Sequence, residues 1–202
     1  MIQTLLLIVS PALAAPAPPL AAPVALMSQD EEEKPDKREL IKEMVDPFGS
    51  HIKKRGVEDR EALGVVDKML GEWGNCGPKD RKSIVRILSR ALNENRRADK
   101  DGRLNNMLFV AVAVAFGRMA PESAPELMKW IGHKKHKKDL KLQRQLILSL
   151  GKVKDKKGRK VLVDLLVHKD PPLQAASAEA LAHYRKHDQK IRKAVFEEIL
   201  KV

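Results

Sequence analysis

From residue 58 onward, apolar side chains return every three or four positions. Ile84, Leu88 and Leu92 recur at helical spacing, flanked by Val85 and Ile87, and Val161, Leu162, Leu165 and Leu166 do the same later. No stretch alternates apolar and polar residues convincingly. VAVAVAF, Val110 to Phe116, is the one strand-like run, and its place in an internal repeat puts it in a helix. The pattern predicts an all-α chain, and the abundance of Leu, Ala, Lys and Glu agrees with it.

The repeat is found by sliding the chain on itself. At an offset of 34, Leu108–Ile131 lands on Leu142–Leu165: Phe116-Gly117 falls on Leu150-Gly151, Met119 on Val153, and Leu127-Met128 on Val161-Leu162. At 31, Leu142 falls on Leu173 and Leu150 on Leu181. At 33, Asp155 meets Asp188 and Leu166-Val167 meet Ile199-Leu200. Upstream, Leu70-Gly71-Glu72-Trp73 takes the place of Phe116-Gly117-Arg118-Met119. Each unit reads as helix, tight turn, helix, giving pairs at about 58–95, 103–132, 139–168 and 171–202. Gly117 and Gly151 are expected to end first helices in positive-φ conformations. Pro171-Pro172 are expected to start one. The preceding segment, Asp36 to Arg55, should hold a helix broken or restarted at Asp46-Pro47. One pair cannot bury its apolar face, so the expected architecture is an α-solenoid, an armadillo-type superhelix of about four pairs.

DPPLQAASAEALAHY, Asp170 to Tyr184, followed by a second amphipathic helix, resembles a HEAT repeat of the short bacterial, lyase-associated type. LQRQLILSLGKVKD, Leu142 to Asp155, fits the same frame. Gln174 stands where that family usually has Arg, and Ala182 where it has Gly. The resemblance covers about 108–202, is weaker over 58–95 and does not reach 1–57. It implies a protein-binding scaffold, since such solenoids mostly bind proteins, some bind nucleic acid and some assist cofactor attachment. It fixes architecture far more than function.

The start of the chain is different. No charged side chain occurs through Met27, Leu5 to Val9 form a short apolar run, and Ala12-Leu13-Ala14 offers small residues for cleavage. This reads as a secretory signal peptide cut near Ala14, with residues 1–27 comprising that peptide and a Pro/Ala tether. The apolar run is too short to span a membrane, so no integral span is expected in the mature chain. Residues 28–37 read as an acidic linker, and 38–202 as the repeat solenoid. The expected location is then periplasmic or secreted. The alternatives are a disordered Ala/Pro leader, or translation from Met27 with a cytoplasmic product. The single cysteine, Cys76, cannot form an internal disulfide. It reads as an ordinary loop cysteine.

Charge sharpens the picture. The net charge is +12, and three runs together carry +13, so the rest of the chain is nearly balanced. His133–Lys141 has five Lys against one Asp, Lys152–Lys160 five Lys and one Arg against one Asp, and Arg185–Lys193 three Lys and two Arg against one Asp. The second and third runs occupy the turn inside successive pairs and should share one edge. The candidate anion- or partner-binding residues are Lys152, Lys154, Lys156, Lys157, Arg159 and Lys160, with Arg185, Lys186, Lys190, Arg192 and Lys193. A solvated loop surface is the plain alternative. Candidate ligands are an acidic protein, nucleic acid or an anionic envelope polymer. Only 3% of residues are aromatic, which argues against base stacking. His183 and His187, four apart, and His133 and His136, three apart, read as ordinary surface histidines rather than metal ligands. Asp139 is a candidate N-cap. No phosphate loop, nucleophile motif or paired carboxylate implies an enzyme or a cofactor.

The expected function is a non-enzymatic interaction scaffold with a basic edge for acidic partners. Alternatives are a nucleic-acid-binding HEAT-like protein and a cofactor lyase or lyase-associated protein. The acidic run Asp30–Glu33 has the charge to fold back onto the basic edge. Deleting residues 28–36 should then strengthen polyanion binding, and equal affinity in a titration would remove that contact.

Overall fold

The computed structural model describes residues 38–96 and 105–184. They form eight α-helices and no strand: α1 Arg38–Lys53, α2 Asp59–Glu72, α3 Pro78–Asn93, α4 Met107–Phe116, α5 Ala124–Trp130, α6 Leu140–Val153, α7 Lys156–Leu165 and α8 Pro171–Ala182. A short 3-10 turn, Trp73–Asn75, links α2 to α3. The all-α expectation therefore holds for these residues. VAVAVAF is helical, within α4.

The helices pack in a regular order. α4 lies against α2 on one side and α6 on the other, and α6 lies against α8. α3 packs on α1 and α4, α5 on α6 and α7, and α7 on α8. α4 and α6 run parallel. Their N-terminal ends are joined by Asn106 Nδ2, which donates to Asp139 Oδ2, and their C-terminal ends by the approach of Gly117 to Ser149. The core is one cluster running from Ile41 in α1 to Tyr184, just past α8.

The N-terminal helix departs from expectation. α1 runs unbroken through Pro47. Its apolar stripe, Ile41, Met44, Phe48 and Ile52, is buried and stays in helical register across the proline. Pro47 itself is exposed, as are Asp46 and Ser50. A mid-helix proline costs about 3 kcal/mol, but each fully buried large apolar side chain stabilises by roughly 1.5–3 kcal/mol. The stripe outweighs the ring, and the freed carbonyl side faces solvent. Ser50 Oγ donates to the Asp46 carbonyl there, at 3.2 Å.

Gly117 and Gly151 also act differently from expectation. Gly117 has φ −63°, and Gly151 lies inside α6. The positive φ falls on Lys154, at 57°. Both glycines serve close helix approach instead. A Cβ on Gly117 would stand 3.0 Å from Ser149 Cβ, and one on Gly151 would stand 2.6 Å from the Ala180 Cα and carbonyl oxygen. The same small-on-small contact thus recurs, between α4 and α6 and then between α6 and α8.

Glycines in helices offer a direct test. Gly64 lies in α2, where an added Cβ would meet nothing within 4 Å, whereas a Cβ on Gly151 would meet backbone. Gly64→Ala should stabilise by roughly 0.5–1 kcal/mol through helix propensity. Gly151→Ala should destabilise by about 1–2 kcal/mol, because overpacking exceeds the same propensity gain. Urea denaturation of both variants checks the opposite signs.

Candidate anion-binding edge

The turn KVKDKKGRK is short and rigid. α6 ends at Val153, Lys154 takes the left-handed conformation, and Asp155 caps α7. The Asp155 carboxylate accepts from the backbone N–H groups of Lys157 at 2.8 Å and Gly158 at 2.9 Å. The Tyr184 hydroxyl, carried past the end of α8, donates to the Asp155 carbonyl at 2.9 Å. Tyr184 is buried, and burial foremost, with the Asp155 carboxylate nearby, pushes its phenol up to about 12. The hydroxyl therefore stays a donor at any physiological pH, and the turn is held from the next helix pair.

All six cations of this turn are exposed: Lys152, Lys154, Lys156, Lys157, Arg159 and Lys160. None makes an ion pair with another described residue. Four of them stand in the first turn and a half of α7, whose first turn carries no acidic side chain. A helix N-terminus is already electropositive, so each cation there is unfavourable by about 0.3–1 kcal/mol at low ionic strength. Asp155 offsets part of this. The remainder is a concentrated positive field on a fixed backbone. Arg185, Lys186, Lys190, Arg192 and Lys193 lie outside the described residues, as does His187.

The more conspicuous run, HKKHKKDLK, has a structural task. His136 is buried, which corrects the reading of it as a surface histidine. Its Nε2 meets the Leu92 carbonyl at 2.6 Å, and its ring stands edge-on to Phe109 at 5.1 Å between centroids. The Lys135 ammonium donates to the Asn93 carbonyl. Two carbonyls at the C-terminal end of α3 are thereby satisfied from this loop, which a helix end requires. A cation at that end also suits the helix dipole. Burial, foremost, holds both His136 and Lys135 below their ordinary pKa values. Gln143 closes the neighbouring end: its Oε1 accepts from Gly132 N–H at 2.7 Å and its Nε2 donates to the Trp130 carbonyl at 3.2 Å. Asp139 caps α6, accepting from Leu142 N–H at 3.1 Å.

Other candidates resolve simply. His183 is exposed and His133 half-buried. His133 stands edge-on to Trp130 at 4.7 Å. Cys76 is buried, with its thiol donating to the Glu72 carbonyl at 3.2 Å. Trp73 and Trp130 are buried, and the Trp130 indole donates to Ser89 Oγ at 2.9 Å. Sequence reasoning missed the Leu92–His136 bond because its partners are 44 residues apart. It missed the Asp59–Arg96 pair, 2.5 Å long with the Arg96 side chain 4% exposed, for the same reason. No local signal marks either one.

No family model, curated protein or solved structure matches the chain.

His136 predicts a pH dependence. Its folded pKa lies below the unfolded value of 6.5, so the unfolded state binds the proton first as pH falls. Its contribution is complete above pH 6.5 and is lost as pH falls from there through the folded value. His136→Gln keeps an amide donor for the Leu92 carbonyl and cannot titrate. The difference in Tm between the two proteins should shrink as pH is lowered from 7.5 to 5. A constant difference across that range would show that His136 does not carry it.

Proposed function

We propose that the protein is a non-enzymatic interaction module, a HEAT-like α-solenoid, in which the α6–α7 turn recognises an acidic protein. Support for the solenoid reading comes from the packing order, in which α4 is shared between α2 and α6, and from the recurring glycine contacts. Export rests on the sequence pattern of residues 1–27 alone. The exposed second-helix face mixes signs, with Arg86, Arg90, Lys129 and Asp164. Such a surface suits a protein partner, with the basic turn steering the encounter.

The observation that carries this reading is the set of six exposed cations, none in an ion pair with another described residue, on a turn held by Asp155 and Tyr184. A solubilising loop needs charge but no such rigidity. Duplex nucleic acid is the competing ligand. It is less favoured because Phe48, Phe109, Phe116, Trp73, Trp130 and Tyr184 are all buried, leaving no described aromatic to stack on bases.

Poly-glutamate and a short DNA duplex serve as the two probes, titrated at several salt concentrations. Lys156→Glu/Lys157→Glu/Lys160→Glu should weaken poly-glutamate binding by at least about tenfold and flatten its salt dependence. Unchanged affinity would overturn the proposal. Tighter, steeply salt-dependent binding of the duplex by the wild type would favour the nucleic-acid reading instead.

A further inference from the structure

The edge opposite the basic turn has its own chemistry. Large apolar side chains that stand clear of the core are Val57 at 74% exposed, Met107 at 64%, Val167 at 60%, Leu140 at 43% and Val114 at 38%. Met107, Leu140 and Val167 sit where one helix pair passes to the next, and Val57 sits in the connection from α1 to α2. Three contacts bring these connections onto one edge. Asp59, the first residue of α2, pairs with Arg96, whose guanidinium lies 4.6 Å over the Phe109 ring in the first turn of α4. Asn106 bonds Asp139, so Met107 and Leu140 start neighbouring parallel helices. α8 approaches α6 at Gly151–Ala180, near both C-terminal ends, so the α8 N-terminus with Val167 before it falls beside that of α6.

The same connections carry exposed cations: Lys54 and Arg55 beside Val57, Lys137, Lys138 and Lys141 around Leu140, and Lys169 after Val167. The carboxylates there are fewer. Asp59 is paired with Arg96, Asp139 caps α6, Glu58 meets His51 at 2.8 Å, Asp170 meets His168 at 3.3 Å, and Glu94 lines the neighbouring cavity. These five face the six exposed cations together with Arg96 and Lys135, so the net charge is positive. Between the N-termini of α4 and α6 lies an open cavity of about 560 Å³, walled by Arg96, Asn106, Lys135 and Lys138, with Glu94 and Asp139 also contributing. Met107 and Leu140 each directly follow a wall residue in the chain, Asn106 and Asp139.

We infer that this edge docks on the surface of an anionic phospholipid bilayer, with Met107, Leu140, Val57 and Val167 entering the headgroup layer and the flanking lysines meeting lipid phosphates. Single apolar tips spaced one helix apart and ringed by lysine match what an interface offers: shallow apolar depth below a negative surface. Lysine stems can lie along the apolar layer while their ammonium groups reach phosphate. A nucleic acid would give the apolar tips nothing. Among the described residues no helix is long and apolar enough to cross a membrane, and this contact is peripheral. It stands on the edge opposite the α6–α7 turn and does not depend on the acidic-protein reading.

The test is co-sedimentation of the full chain with vesicles of phosphatidylcholine containing 30% phosphatidylglycerol, against vesicles of phosphatidylcholine alone. The wild type should bind the anionic vesicles and leave the neutral ones in solution. Met107→Ser/Leu140→Ser should weaken binding by about tenfold, with unchanged helicity and Tm because both side chains are exposed. Lys137→Glu/Lys138→Glu should weaken it comparably, and Lys156→Glu/Lys157→Glu should leave it intact. The apolar N-terminal segment is common to all variants, so the differences report this edge. The inference is overturned if wild type ignores anionic vesicles or binds neutral ones equally. It is also overturned if the serine pair binds like wild type, or if loss is confined to the 156/157 variant.

Discussion

α4 has no polar face to offer water. Its ten residues, MLFVAVAVAF, carry no charge or hydrogen-bonding side chain, and six of them are buried. A helix that is apolar all round must be covered on nearly every side, and neighbouring helices before and after it provide that cover. α2 and α6 flank it, α3 lies against it, and the glycine at its C-terminal end lets α6 come close. The packing of α2 and α6 on either side of α4 follows from this demand. The side chains that stay exposed on it, Met107 and Val114, lie at its start and on its outer surface.

Once the first helices are drawn together, the connections between pairs must be short-range fixtures rather than free loops. The Leu92 carbonyl at the end of α3 and the Trp130 carbonyl at the end of α5 become buried among neighbours, while the Asn93 carbonyl stays near solvent. His136, Lys135 and Gln143 supply the missing partners. The run HKKHKKDLK is therefore two things at once: an anchor at positions 135 and 136, and a set of solvent-facing cations at 137, 138 and 141. The turns inside pairs face a milder demand. Asp155 caps α7, Tyr184 braces the turn, and the exposed lysines around them make no ion pair with another described residue. The α6–α7 turn and the connections at the starts of α4 and α6 differ in chemistry for this reason. One is basic and polar; the other mixes lysine with exposed apolar tips.

Local features of this fold were readable from the chain. The helix pairs follow from apolar spacing at three and four, and the Asp139 cap follows from a carboxylate placed just before an apolar-periodic segment. The exposure of Lys152 to Lys160 follows from their density, since six cations in nine positions cannot all be buried. Three things were not readable. Pro47 marks a local break, but four buried apolar side chains spread over twelve residues, Ile41 to Ile52, hold the helix together across it. Gly117 and Gly151 look like helix ends, yet their role is set by a facing helix about thirty residues later. His136 sits among lysines, and nothing nearby in sequence names Leu92 as its partner.

The sequence by itself determined the helical class, most helix positions and where positive charge is concentrated, because each depends on residues within one or two helical turns or on self-similarity along the chain. The tertiary structure alone decided which small residues touch, which polar side chains satisfy buried helix ends, and which exposed apolar residues share an edge. Those properties depend on partners 11 to 44 residues away, on other helices or their ends. Their energies are those of close packing and desolvation, which exist only after the helices have met.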